Sequence, residues 1–333
     1  MRPRVAAFMA SQNGLVLRRQ ARQAGMTSDA IDRLVAGGEW VAVRRGVYAT
    51  AVLWESLDVH VGRPLLRARA ASRNMLVPHV MSHDSAALAH GLPILAAAPE
   101  LVHITRFGVV GSRTKHGVKH HRAPHRPEQL VEIDGIWTLD RARTAVDIAR
   151  EHGLRHGLAA CDSALRLGVS RADLWEAVAP MTCWPYVTVA REAVELADHR
   201  ADNVAESLTR LLVLELGVGP VEPQFGLRDG SRVAWCDVRV GRHVVEFDGR
   251  LKYRPATQGG VATVDPELIR WREKRRQDWI CGFQLGMSRI TWADVQPHRW
   301  EATKRRVLRE YDATRARYGT SIADLAPYVI SAA

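Results

Sequence analysis

The residues of this 333-residue chain best suited to chemistry are acids in one short stretch, Asp237, Glu246 and Asp248 of WCDVRVGRHVVEFDG, with Lys252 beyond it and Glu206 upstream. Two β-rich runs, Trp235 to Val240 and His243 to Phe247, flank Gly241-Arg242, and glycine first in a two-residue turn fits a type II′ hairpin. That register pairs Val240 with His243 and Val238 with Val245, and so sets Asp237 opposite Glu246. Alternation puts Val244, Glu246 and Asp248 on one face, Val245 and Phe247 on the other. Opposed carboxylates repel unless a proton or cation lies between them. A hard dication such as Mg²⁺ or Mn²⁺ suits such oxygens. The expected ligands are Asp237, Glu246 and Asp248, and the metal would polarise a phosphodiester and activate a water. Lys252 would stabilise charge on the phosphoryl group, and Glu206 would assist from its helix. Each residue also has a plainer role. Glu206 stands at capping-box spacing from Asn203, Asp237 can pair with Arg239 or Arg242, and Asp248-Gly249 can be a turn.

The elements around these acids are readable. Ala205 opens a helix whose Leu208, Leu211, Leu212 and Leu216 form an apolar stripe ending at Gly217. Asp265 and Pro266 start a second helix, running to Cys281. Its Arg270, Arg272, Arg275 and Arg276 either line a DNA backbone or form a solvated face with pairs such as Lys274–Asp278. Arg254 to Val264, with Gly259-Gly260, reads as a flexible loop beside the acids.

Arg4 to Thr50 has the rhythm of a winged helix. A short helix ends near Ala10, and a second opens at Leu15-Val16-Leu17 and stops at Gly25. A third spans Asp29 to Ala36 behind the capping residues Thr27 and Ser28. Trp40 to Val43 and Val47 to Ala49 form a hairpin around Arg44-Arg45-Gly46. Such a unit docks its third helix in the major groove and its wing on phosphate. Arg18, Arg19, Arg22, Arg33, Arg44 and Arg45 are the expected DNA contacts here, with Arg272 and Arg276 in the later helix. Asp29 and Asp32 on the third helix run against this reading and favour the alternative, a winged helix that contacts protein.

From Ala51 to Ala179 helices and strands alternate, with helices at Leu65–Met75, Ser82–His90, Asp140–Arg150 and Gly157–Leu167. Strands are expected at Leu101–Ile104 and Ile136–Thr138. Arg106 to Arg126 carries six Lys/Arg and four histidines with no acid. His116, His120, His121 and His125 lack a carboxylate or cysteine partner and a standard metal spacing, so a basic surface is the stronger reading.

Two resemblances follow from these motifs. Residues 14–50 with Gly46-Val47-Tyr48, the stretch Ser82-His83-Asp84-Ser85-Ala86-Ala87 to His90-Gly91-Leu92, and Arg143-Thr144-Ala145-Val146-Asp147-Ile148-Ala149 resemble AbiEi-family antitoxins. That resemblance implies a winged helix that binds promoter DNA and represses its own operon. Residues 201–309 resemble PD-(D/E)xK nucleases of the very-short-patch-repair-like branch. The matching features are the Glu206 helix, Gln224, Asp237, Glu246-Phe247-Asp248-Gly249, Glu273 to Asp278, Trp279 to Arg289 and Thr291-Trp292. The resemblance implies Mg²⁺ on Asp237 and Glu246 with Glu206 assisting. The lysine of the usual Glu-x-Lys is here Asp248, which leaves Lys252 to replace it, Asp248 to act as a third ligand, or catalysis impaired.

A formal charge of +11, with hydrophobic residues 47% and charged residues 25%, fits a globular protein that attracts polyphosphate. Cys161, Cys183, Cys236 and Cys281 stand far apart, without disulfide spacing, and no apolar run reaches membrane length. The expectation is a cytoplasmic α+β multi-domain protein in three parts. Residues 1–55 form a winged helix-turn-helix, 56–195 an α+β middle domain, and 196–320 an α/β restriction-endonuclease-like domain with a central mixed sheet. Its partners would be double-stranded DNA and a cognate toxin operon or promoter, and its activity Mg²⁺-dependent DNA cleavage. The alternative is an AbiEi-type antitoxin and autorepressor whose nuclease-like domain is inactive.

Overall fold

A computed structural model describes residues 2–95, 100–249 and 266–331. The chain divides into two compact units, Met1–Leu196 and Ala197–Ala333. The described residues form a mixed α+β structure with three sheets.

The first unit opens with α1 (Pro3–Ser11), β1 (Val16–Leu17), α2 (Arg18–Gln23), α3 (Ser28–Ala36), β2 (Trp40–Arg44) and β3 (Val47–Thr50). Thr27 caps α3, its hydroxyl accepting from the Ala30 N–H at 3.1 Å, which satisfies a donor the first turn leaves bare. The helix expected to open at Leu15 starts instead at Arg18. Val16 and Leu17 pair with Tyr48 and Val47. Their side chains explain it: Val16 packs with Ile31, Trp40 and Tyr48, whereas Leu15 and Leu17 pack with Val47 and Leu66. Burial on alternate sides is what a strand provides and one helical face does not.

After α4 (Ala51–Ser56) comes α5 (Gly62–Asn74), which is buried on two sides. Leu66 and Ala70 pack against the first sheet, and Ala68 and Ala71 against Met81, Val102, Ile104 and Val118. The boundary expected near residue 55 therefore lies inside this unit. The chain continues through β4 (Val80–Met81), α6 (His83–Ala89), β5 (Val102–Thr105), β6 (Ser112–Lys115), β7 (Val118–His121), β8 (Leu130–Ile133) and β9 (Ile136–Leu139). It ends in α7 (Arg141–His152), α8 (Leu154–Arg166), α9 (Arg171–Val178) and α10 (Val187–Leu196). The strands form one sheet in the order β6-β7-β5-β4-β9-β8. Val102, Ile104 and Val118 turn toward α5, so alternation sends His103, Thr105, Lys119 and His121 to the other face. Asp140 caps α7 by accepting from the Arg143 N–H at 2.7 Å. α7 and α8 cross closely at Gly157, where a Cβ would stand 2.3 Å from Ala149 Cβ.

The second unit contains α11 (Val204–Leu214), β10 (Val221–Asp229), β11 (Arg232–Val240), β12 (His243–Phe247), α12 (Pro266–Gly282), β13 (Gly286–Ile290), α13 (Trp300–Tyr318) and β14 (Val329–Ile330). The sheet order is β13-β12-β11-β10-β14, with β12 and β13 parallel and the other pairs antiparallel. Gly241 takes φ +55° in the β11–β12 turn, and Val238 pairs with Val245 and Val240 with His243. The core gathers Phe225, Leu227, Cys236, Val244, Ile280 and Leu285. Burial pushes the Cys236 thiol up to about 12, so it is an inert packing residue. His243 is buried between the Thr314 and Ser288 hydroxyls, each at 2.8 Å, and ties β12 to β13 and α13.

Candidate acidic cleft and nucleic-acid interface

β11, β12, α12 and β13 enclose a cleft of 240 Å³ lined by Trp235, Asp237, Glu246, Phe247, Asp248, Glu273, Arg276 and Arg289. Parallel pairing sets Glu246 beside Arg289. Asp237 Oδ2 accepts from the Phe247 N–H at 2.7 Å and so closes the hairpin ladder with its side chain. Glu246 is 6% exposed, and Arg276 from α12 holds it. Nη1 donates to Oε2 at 2.9 Å, and Nη2 stands 2.8 Å from Oε1 while donating to the Trp235 carbonyl. Arg289 bridges Asp248 at 3.7 Å and Glu273 at 3.6 Å. Among the described residues four carboxylates thus share the cleft with two guanidinium groups. Arg276 thus holds the Glu246 carboxylate that was expected to bind a dication. Among the described residues these acids do not bring three ligand oxygens within 4.8 Å of one another. Lys252 and the stretch from Arg254 to Val264 lie outside the described residues.

Glu206 sits in the first turn of α11, where Asn203 Oδ1 caps the helix by accepting from the Ala205 and Glu206 N–H groups. The Glu206 carboxylate accepts from the Asp202 N–H at 2.8 Å, Asn203 Nδ2 at 2.6 Å and Gln224 Nε2 at 2.9 Å. It is therefore a cap that also ties the helix to β10. Burial, reinforced by nearby Asp237 and Asp202, pushes its pKa up to about 7. A carboxyl with a raised pKa in the native state favours folding while protonated and opposes it once ionised, so this contribution is lost as pH rises from 5 through 7. Glu206→Gln should accordingly flatten the pH dependence, gaining about 1–2 kcal/mol on wild type between pH 5.5 and pH 8 after discounting for solvent screening. Thermal melts at the two pH values measure it. Parallel curves for the two proteins would show that Glu206 does not titrate in this range.

The expected DNA contacts of the first unit divide. Arg18 makes a two-pronged pair with Asp32 at 2.8 and 2.9 Å and also donates to Tyr48 Oη at 2.8 Å. It joins α2 to α3, and Asp32 thereby ceases to be an uncompensated acid on α3. Arg19 reaches the Arg73 carbonyl at 3.2 Å, Arg22 the Ser28 hydroxyl at 3.1 Å, and Arg33 the Asp29 carbonyl at 3.4 Å. All three side chains remain exposed. Arg44 is half-buried and donates to the His116 carbonyl at 2.8 Å, whereas Arg45, at the tip of the same hairpin, is exposed. In the second unit Arg272 and Arg275 are exposed on α12, Arg275 over the Trp271 ring. Arg276 is turned inward to Glu246.

The four clustered histidines do not act together. His116 occupies the β6–β7 turn at φ +50°, His120 accepts from Arg106 Nε, and His125 lies against Phe107. Only His121 is buried, against His83 and His103. The sequence reading missed His103 and His152, whose neighbours are far away along the chain.

Residues 3–51 match the family model described as a transcriptional regulator, AbiEi antitoxin. Two uncharacterized proteins of Mycobacterium tuberculosis, from strains CDC 1551 / Oshkosh and ATCC 25618 / H37Rv, are each 26% identical over 264 residues, covering 76% of this chain and 88% of their own length. No helix among the described residues is long and apolar enough to cross a membrane.

Proposed function

We propose that this chain is a DNA-binding transcriptional regulator of the AbiEi antitoxin kind, acting on the promoter of its own operon. The observation that carries the reading is the arrangement of residues 3–51, the same stretch that matches the regulator family. Three helices and a β-hairpin follow in the order of a winged helix, and α3 is capped at its N-terminus. Arg19, Arg22 and Arg33 lie exposed on α2 and α3, with Arg45 on the hairpin. Helix-borne arginines of this type reach bases and phosphates, and the hairpin serves as the wing. Residues 56–195 support that unit, and residues 196–320 form a nuclease-like domain in which arginines hold Glu246, Asp248 and Glu273.

Fluorescence anisotropy with a labelled duplex from upstream of the gene, over a salt series, tests this. Wild type should bind that duplex more tightly than a scrambled one. Arg22→Ala with Arg45→Ala should lower the slope of log K against log salt by about 2, the share of two phosphate contacts. Equal affinity for both duplexes, or an unchanged slope, would remove these residues from a DNA interface.

A second reading, Mg²⁺-dependent DNA cleavage, is favoured by the raised Glu206 pKa next to Asp237 and by the four carboxylates that the described residues place in the cleft. It requires Arg276 to release Glu246 when DNA or metal arrives. Supercoiled plasmid with Mg²⁺ separates the two readings: nicking that Asp237→Ala abolishes supports cleavage, and intact plasmid supports the regulator alone.

A further inference from the structure

The sheet face opposite α5 carries imidazoles and a carboxylate that neither the DNA-facing elements nor the acidic cleft uses. β5 and β7 run parallel, with His103 beside Lys119 and Thr105 beside His121, so His103 and His121 share that face. α6 contributes Asp84 and the last turn of α7 contributes His152. Asp84 Oδ2 lies 2.8 Å from His152 Nε2 and 3.4 Å from His103 Nε2, and the three ligand atoms lie within 4.8 Å of one another. Ligands around a tetrahedral Zn²⁺, with bonds of about 2.0–2.1 Å, stand roughly 3.3 Å apart. The second oxygen, Asp84 Oδ1, is buried and accepts no hydrogen bond among the described residues, a costly condition for a carboxylate.

The groups behind His103 point the same way. Its Nδ1 is 3.1 Å from His121 Nε2, and His121 Nδ1 is 3.4 Å from the Ser112 hydroxyl. A proton on His103 Nδ1 donated to His121, with the His121 Nδ1 proton directed to Ser112, leaves the His103 Nε2 lone pair facing Asp84 and His152. Metal-binding histidines are commonly held this way through their second nitrogen. A different trio, His83, His103 and His121, is equally close. There, however, the His83 and His121 rings stack at 3.8 Å and 17°, and no carboxylate balances a dication.

The geometry points to a Zn²⁺ site made by the Asp84 carboxylate, His103 Nε2 and His152 Nε2, with His121 as a positioning residue and a fourth place for water. Asp84 also lines a 630 Å³ cavity with Ser85, Leu88, Leu92 and Ile94, which gives an incoming ion a path to the carboxylate. The set is that of a hydrolytic or anion-binding zinc centre, with three protein ligands and one exchangeable position.

Full-length protein, stripped with chelator and dialysed, is titrated with Zn²⁺ in a calorimeter and separately with Co²⁺ under visible absorption. One Zn²⁺ should bind per chain. Asp84→Asn and His152→Gln should each weaken binding by at least roughly 100-fold, and His121→Gln by about 10–100-fold. His125→Gln should leave it unchanged. Co²⁺ should give the intense visible bands of a four-coordinate ion, bleached by added Zn²⁺. An Asp84–His152 ion pair beside a neutral His103 needs no metal, and it predicts neither heat beyond dilution nor a Co²⁺ band; that result, or wild-type affinity in Asp84→Asn and His152→Gln, overturns the site. Should circular dichroism show that a variant is unfolded, the Co²⁺ spectrum of the wild type decides alone.

Discussion

Asp147→Ala should destabilise the first unit by about 3–5 kcal/mol, a large part of the stability of an ordinary domain. Asp147 is fully buried on α7 and accepts from Arg143 Nε at 2.9 Å and Arg150 Nη1 at 3.1 Å. Arg143, itself 2% exposed, donates to the Pro124 carbonyl at 2.9 Å and to Gln129 Oε1 at 3.2 Å. Trp184 lies against both guanidinium groups, 5.3 Å from Arg143 and 4.7 Å from Arg150. Removing the carboxylate leaves a buried cation without its counter-charge, and a methyl in its place returns nothing. Asp147→Asn, which keeps the shape and one acceptor, should fall roughly midway. Urea unfolding followed by circular dichroism reads the change. A midpoint shift worth less than about 1 kcal/mol for the alanine variant would mean that Arg143 finds another partner or water.

Arg276→Ala should destabilise the second unit by about 2–4 kcal/mol at pH 7.5, because Glu246 then stands buried among Asp237, Asp248 and Glu273 without its guanidinium. Two additions should restore stability. Lowering the pH protonates the crowded acids, and millimolar Mg²⁺ or Ca²⁺ supplies the missing positive charge. The rescue is the informative part, since wild type, with Arg276 in place, should gain little from either cation. Thermal melts of both proteins with and without each ion make the comparison. If the variant melts at the same temperature in chelator and in Mg²⁺, the cleft does not accept a dication even when vacated, and the cleavage reading loses its basis.

Local signals in the sequence carried well into the fold. Thr27, Asp140 and Asn203 cap the helices they precede, because a short polar side chain before an apolar periodic run has few better uses. The Gly241-Arg242 turn sets the β11–β12 register for a similar reason, since a glycine at positive φ permits the tight connection. Val16 and Leu17 were harder to read, as a two-residue strand shows no periodicity of its own and is defined only by its partner β3. The electrostatics were least legible. Arg276 resembles a solvated helix residue until α12 lies over the cleft, and its partner Glu246 is 30 positions away. His121 read as one of four adjacent histidines, yet the parallel β5–β7 pairing gives it to His103 and withholds the other three. Long-range pairing chose the partners in both cases, and no window of neighbouring residues contains that choice.

The last short strand has a practical consequence. β14 joins β10 at Gly226 and Leu227, and Gly226 leaves room for Ile330, where a Cβ would meet the Ile330 carbonyl at 2.8 Å. A bulky fusion placed just after Ile330, or trimming back to residue 325, would pull this cover away and leave the backbone donors and acceptors of β10 open to a neighbouring molecule. Protein fused or trimmed there should therefore tend to self-associate through this sheet, which size-exclusion chromatography reads.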